Sequence, residues 1–348
     1  MKKQNSEKRK IKKPLKILII VLSVIAAIAL IAGSVFLIMY QKGKNDIKNG
    51  KIDKPILPPE ELEEEVKTEQ DGETVYYKGE KYKYNENAVP ILLLGIDKYD
   101  FDDAEGIGFN GQADAVYLAV LNTETKEVSI LTVSRDSMVD VDMYSEEGHF
   151  LRSEKMQLCL SYAYGDGKEK SCENTAKSVS RLLFNIPIKN YIAIDFSALP
   201  VLNDMVGGVT VPEYADDMMT KTGNSITLYG DETIRYLRRR NIHFAESNNV
   251  RIERQKSFIT AFTKKAVEMT KKDITLPITL FSSISDYTVT NVGASQITYM
   301  AANYLEGVSD MKMHTVPGKS ELVGEYYQFT ADNTLLYEKV LELFYVKQ

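Results

Sequence analysis

Residues 89–97 read Val-Pro-Ile-Leu-Leu-Leu-Gly-Ile-Asp, an apolar run closed by an acid. A run this short, with polar sequence on both sides, predicts a buried strand at Val89 to Gly95. The flanking segments repeat the theme. Ala115 to Leu121 and Glu127 to Val133 predict two more strands, joined by the polar turn Asn122-Thr123-Glu124-Thr125-Lys126. Asn174 to Phe184 carries Ala176, Val179, Leu182 and Leu183 at the spacing of a one-faced helix. Tyr191 to Asp195 predicts a strand, and Ser197 is placed to cap a helix running to about Met205. Gly207-Gly208 then turns the chain into a strand at Val209 to Val211. A long helix from about Val250 to Met269 puts Ile252, Ile259, Phe262, Ala266 and Met269 on one face. Strand-like pieces follow from Met311, with a closing helix from about Ala331. Strands alternating with helices predict a layered α/β domain. Upstream, Thr74 to Tyr77 and Glu80 to Tyr84 predict a hairpin about Lys78-Gly79, so the domain begins near residue 73.

What precedes it is suited to a different solvent. Ile17 to Met39 holds no charge and no proline, and as a helix it would measure about 34 Å, enough to cross a hydrocarbon core of about 30 Å. Residues 1–16 carry eight lysines and arginines against the single acid Glu7. The positive-inside rule therefore predicts a cytoplasmic basic tail at 1–16, one transmembrane helix at 17–39 and an extracellular remainder. A cleaved signal peptide is the rival, but its apolar region is only about 7–15 residues long, and no small-residue cleavage site closes this stretch. Residues 40–72, with Pro55, Pro58, Pro59 and the run Glu60, Glu61, Glu63, Glu64 and Glu65, read as an acidic linker or loose helix.

The formal net charge of −6 divides into +7 over residues 1–16 and −13 over the rest. An acidic outer part argues against nucleic acid as a partner. Three histidines (His149, His243, His314) and two cysteines, none in ligand spacing, argue against a zinc site. Cys159 and Cys172 could close a short loop as a disulfide or stand free, and are structural either way.

Chemistry must come from carboxylates and guanidinium groups. Asp97 ends a strand, Asp114 opens the next, and Ser134-Arg135-Asp136 ends the one after. Such a set could hold a hard cation between carboxylates and an anion on the arginine, or could be solvated ion pairs. Arg251, Arg254 and Gln255 sit at helical spacings near a helix start, where backbone amides also favour anions. Arg238 and Arg240 share a face only if extended. Arginine forks suit phosphate oxygens, and in an acidic domain such a cluster is less easily an incidental basic stripe.

Taken in order, Val-Pro-Ile-Leu-Leu-Leu-Gly-Ile-Asp at 89–97, Ala-Asp-Ala at 113–115, Leu-Thr-Val-Ser-Arg-Asp at 131–136, Ser-Tyr-Ala-Tyr-Gly at 161–165, Val-Gly-Gly-Val at 206–209 and the arginines of 238–255 resemble the LytR-CpsA-Psr family. The resemblance covers about residues 89–260 and implies a three-layer α-β-α sandwich with a mixed central sheet outside the membrane. It implies transfer of a teichoic acid or capsular glycopolymer from a polyprenyl-pyrophosphate carrier to peptidoglycan. By motif position, Asp97 and Asp114 would coordinate magnesium. Arg135, Arg238, Arg240 and Arg254, with Arg251 and Gln255 beside them, would grip the pyrophosphate. A sugar hydroxyl would attack the phosphorus, with Asp97, or else Asp136, as base, Asp97 being the preferred of the two. Three positions depart from the family pattern: Gln112 stands for an arginine, Gln157 for a lysine and Asn248 for an acid. A carrier hydrolase and a non-catalytic receptor for lipid-linked intermediates are the alternatives. Two acids beside the arginines favour an enzyme, since a plain anion receptor gains nothing from them.

Overall fold

The computed structural model describes residues 33–47, 62, 65–69, 72–102, 106–215, 219–239 and 247–348. At its centre lies the strand Ala88–Ile96, one residue longer at each end than the apolar run predicts. It pairs antiparallel with Ala113–Asn122 and parallel with Asn190–Ile194. Six strands form the sheet in the order Thr288–Thr290, Asn190–Ile194, Ala88–Ile96, Ala113–Asn122, Val128–Val133 and Lys312–Thr315. The last joins parallel to its neighbour and the first antiparallel, so the sheet is mixed.

Alternation along the strands builds the layers, because successive side chains point to opposite faces. Leu92, Leu94, Ile96, Val116, Leu118 and Leu131 pack in one core with the helices Glu169–Leu182 and Asn333–Phe344. Val89, Ile91, Ala119, Leu121 and Val128 turn the other way, towards Tyr299 of the helix Ala294–Asn303 and towards Tyr304. Beside these layers a third core joins the helices Ala198–Met205, Asp231–Arg238, Ser247–Thr270 and Leu276–Ser283 to the strands Val209–Tyr214 and Lys221–Leu228.

The predicted hairpin forms, and both Lys78 and Gly79 have positive φ, as a tight two-residue turn requires. Ser197 precedes the helix Ala198–Met205 without capping it through its side chain. Asp195 does this instead, its Oδ1 accepting from the backbone N–H groups of Ser197 at 2.8 Å and Ala198 at 3.3 Å. That leaves the Ser197 hydroxyl to donate to the Tyr99 carbonyl at 3.0 Å. The long helix buries Arg254 and Phe258 ahead of Phe262, Ala266 and Met269, while Ile252 is half exposed. Reading the face from apolar residues alone displaced it, because its first core residue is an arginine.

The strands Met138–Tyr144 and Phe150–Gln157 make a hairpin that alternation did not announce. It leaves the sheet just after Arg135 and Asp136 and returns just before Cys159, so its position fixes theirs. Asp142 pins it. This carboxylate is fully buried and accepts from Arg181 at 2.7 Å, from Ser153 and from Lys177, both charged partners lying on the helix Glu169–Leu182. Burial alone would push the Asp142 carboxyl up; the hydrogen bonds from Arg181, Lys177 and Ser153 outweigh it and hold the group at about 2. A folded-state pKa below the unfolded value of about 3.9 gives stability that is present above that value and lost as pH falls through about 2. Asp142→Asn should therefore lose about 2 kcal/mol at neutral pH, and its denaturant midpoint should be flatter than wild type between about pH 2 and 5. Parallel loss in both proteins would refute the pin.

Of the apolar run at 17–39, residues 17–32 lie outside the described residues. Residues 33–46 are helical, and among the described residues no helix is long and apolar enough to cross a membrane. Within that helix Val35, Phe36, Leu37 and Ile38 are exposed. Tyr40 packs at a tilt against Tyr299 with ring centres 5.3 Å apart, and Ile47 is buried in the Tyr299 core. Gly43 lies so close to Ser295 that a Cβ would overlap its carbonyl. The start of the expected linker is thus docked on the domain.

Candidate functional site

Asp97 directly follows the central strand, and its backbone N–H donates to the Gln112 carbonyl at 2.9 Å. Asp114 owes its direction to an irregularity in the sheet. Gly95 faces Ala115 and Ile96 faces Ala113, so Asp114 is an extra residue in a bulge. Bulges re-aim side chains, and this one turns Asp114 towards Arg135. Arg135 donates from Nη1 to Asp114 and from Nη2 to Gln112 Oε1 at 3.3 Å, while its Nε lies 3.4 Å from Asp136 Oδ1. Asp136 Oδ1 also accepts from Gln157 Nε2 at 3.2 Å. Gln112 and Gln157, where the family pattern expects cations, are therefore neutral partners of this core.

Arg238 closes the other side. It donates to Asp97 Oδ1 at 2.9 Å and to the Tyr99 hydroxyl at 2.8 Å, and its guanidinium carbon lies 4.0 Å from the centre of the Phe196 ring. It is the last residue of the helix Asp231–Arg238, after which Arg239 is extended. Arg240 lies outside the described residues, as do the side chain of Asn248 and any shared face of Arg238 with Arg240.

Arg251 and Arg254 part company although they share a helix. Arg251 is near enough to Asp114 to favour its charged form. Arg254 is fully buried. It donates to the carbonyls of Tyr236, at 2.7 Å, and Arg239, with its guanidinium carbon 5.6 Å from the centres of the Tyr214 and Tyr236 rings. Gln255 donates to the Leu237 carbonyl at 3.2 Å. The last carbonyls of a helix lack partners within it, and here two side chains of the next helix supply them. The pair predicted to touch pyrophosphate thus fixes the helix end that carries Arg238.

Burial pushes the Asp114 carboxyl up; Asp97 adds to this, and Arg135, Arg251 and Arg238 oppose it. Asp114→Asn should abolish most transfer while leaving the melting temperature near wild type; a variant that transfers at the wild-type rate would remove Asp114 from the site.

Cys159 and Cys172 are both free and buried, so the possible disulfide is not formed. Burial pushes both thiols up, Cys159 to about 11, which keeps them protonated and inert. Tyr99 and Phe196, which bracket Arg238, carried no motif. Phe196 does lie just past the end of a strand beside Asp97, the one position signal that could have marked it.

A mixed sheet with Asp97, Asp114 and Arg135 at neighbouring strand ends, and Arg238 brought against them from a helix end, defines an α/β domain with one clustered set of arginines and carboxylates. The chain belongs to the LytR_cpsA_psr family, whose profile matches residues 59–342. It is 24% identical over 346 residues to a polyisoprenyl-teichoic acid–peptidoglycan teichoic acid transferase TagU of Bacillus licheniformis, covering 97% of each chain. A TagU of Enterococcus faecalis is 24% identical over 239 residues, 67% of this chain and 71% of its own. The crystal structure of B. subtilis TagV shares the fold with a TM-score of 0.54 at 22% identity, covering 74% of this chain and 96% of its own.

Proposed function

We propose that this chain transfers a glycopolymer, of the teichoic acid or capsular kind, from a polyprenyl-pyrophosphate carrier to peptidoglycan. The convergence of Arg135, Arg238 and Arg251 on Asp97 and Asp114 carries this reading. Phosphoryl transfer asks a protein mainly to position the reactants and neutralise charge. The oxygen of a peptidoglycan hydroxyl attacks the phosphorus joined to the polymer, the bond from that phosphorus to the bridging oxygen breaks, and the lipid phosphate leaves with the electron pair. Arg135 and Arg238 steady the charge that builds on the phosphoryl oxygens. Asp97 is already paired with Arg238, whereas Asp136 receives only the Gln157 amide and a long contact from Arg135. We therefore assign the hydroxyl proton to Asp136 and leave Asp97 to the clamp.

Asp97 and Asp114 are hard oxygen donors close enough for one to raise the other's pKa. That set fits magnesium, which takes one or two carboxylates and fills its shell with phosphate oxygens and water. Bound there, magnesium would neutralise pyrophosphate charge. Residues 17–39 would hold the chain in the cell membrane of a Gram-positive envelope, with the N-terminus cytoplasmic and the domain outside. The basic flank and the exposed apolar residues 35–38 support this.

The test is transfer by the full chain in detergent, with magnesium, a short polyprenyl-pyrophosphate-linked glycan and a peptidoglycan oligosaccharide. Acceptor linked through phosphate supports the proposal. Release of unlinked glycan phosphate would make the chain a hydrolase, and tight binding without product would make it a receptor.

A further inference from the structure

The strands Gly318–Val323 and Tyr326–Ala331 form a hairpin outside the central sheet. Its root is tied to the candidate base: the Phe329 N–H donates to the Asp136 carbonyl at 2.8 Å, and Ser137 bridges to Phe329. Gln157 completes the tie, donating to both Asp136 Oδ1 and the Tyr327 carbonyl, the latter at 2.7 Å. Beyond the root the hairpin is uncovered. Leu322 stands opposite Tyr327 and Val323 opposite Tyr326, with exposures of 61%, 51%, 50% and 67%. By alternation Leu322 and Tyr327 continue the face on which Phe329 packs against the core. Two-stranded hairpins are marginal alone, and apolar pairs left in water on both faces are unusual without an occupant.

We propose that this hairpin is the docking ledge for the acceptor glycan strand, which it leads to Asp136; this rests on the transfer reading above. The face suits a saccharide. Tyrosine offers a flat apolar ring to the C–H face of a sugar and a hydroxyl to its edge, and Ser320, opposite Phe329, adds a hydroxyl on the same face as Leu322 and Tyr327. A bilayer is the other apolar occupant, and two observations speak against it. Glu321 and Glu325 put acid at the tip. The hairpin also follows Thr315, at the Asp136 end of the sheet, whereas the helix 33–46 docks on the core at the opposite end.

The full chain should be titrated with an undecorated peptidoglycan oligosaccharide. Tyrosine fluorescence can report binding, since the chain has no tryptophan. Acceptor and donor KM should be measured alongside. Tyr327→Ala and Leu322→Ser, both at exposed sites, should weaken oligosaccharide binding and raise acceptor KM about tenfold, with donor KM and kcat at saturating acceptor retained. Equal binding and equal acceptor KM in wild type and variants would overturn the ledge. So would quenching of tyrosine fluorescence by nitroxide-labelled lipid in vesicles holding the full chain, lost in Tyr327→Ala at unchanged acceptor KM, which would hand the face to a bilayer. Oligosaccharide binding that depends on Tyr327 in a chain that transfers nothing would keep the ledge and discard the transferase.

Discussion

Arg238→Ala should lower kcat/KM for transfer by about 10²–10³-fold, the usual cost of removing one preorganised charge donor from a developing anion. The same substitution should leave the melting temperature almost unchanged. Arg238 and Asp97 are both more than a third exposed, and such pairs contribute about 0–1 kcal/mol to stability. Arg238→Lys keeps the charge but not the planar fork held over Phe196, so it should recover only part of the loss. A variant that transfers at the wild-type rate would break the clamp; one that melts early would show Arg238 to be structural.

Arg254→Met should show the reverse pattern, a loss of about 3–5 kcal/mol in stability that carries activity down with it. The guanidinium is fully buried, and its removal strands the carbonyls of Tyr236 and Arg239. For a domain of this size that is a fall of roughly 6–20 °C in Tm. Burial already disfavours the charge, pushing the Arg254 pKa down, so the group stays only because two carbonyls and two tyrosine rings receive it. Were Arg254 instead a pyrophosphate ligand, Arg254→Lys would raise donor KM with the melt intact. Thermal melts and donor KM on the two variants decide between these parts.

These opposite fates show what spacing can and cannot tell. Helical periodicity placed Arg251, Arg254 and Gln255 together, but it could not say that the helix turns Arg254 inward, because that depends on Tyr214 and Tyr236 arriving from elsewhere in the chain. The central strands were legible because their apolar runs are buried on both faces. The hairpin Met138–Tyr144 with Phe150–Gln157 was not, since its second strand is mostly exposed and its alternation is polar. Asp97 and Asp114 were legible as strand-end acids, whereas the bulge that aims Asp114 appears only once the strands are paired in register. Ser197 failed as a cap because Asp195, two residues earlier, already closes the helix start through the N–H groups of Ser197 and Ala198, and Pro200 offers a Ser197 cap no N–H.

The close seat of Gly43 on Ser295 bears on geography rather than chemistry. A loose leash would let the domain sweep a hemisphere above its anchor, meeting acceptors at any height. A helix bolted beneath the sheet allows drift in the plane and rotation about the normal, and little else. From Val89, in the core that the helix docks on, to Asp97 beyond the other end, the strand Ala88–Ile96 and its next residue run about 26 Å. Were residues 17–39 to cross the bilayer as proposed, the sheet would act as a ruler, holding the proposed chemistry at one standoff and within reach of only the layer of wall at that altitude.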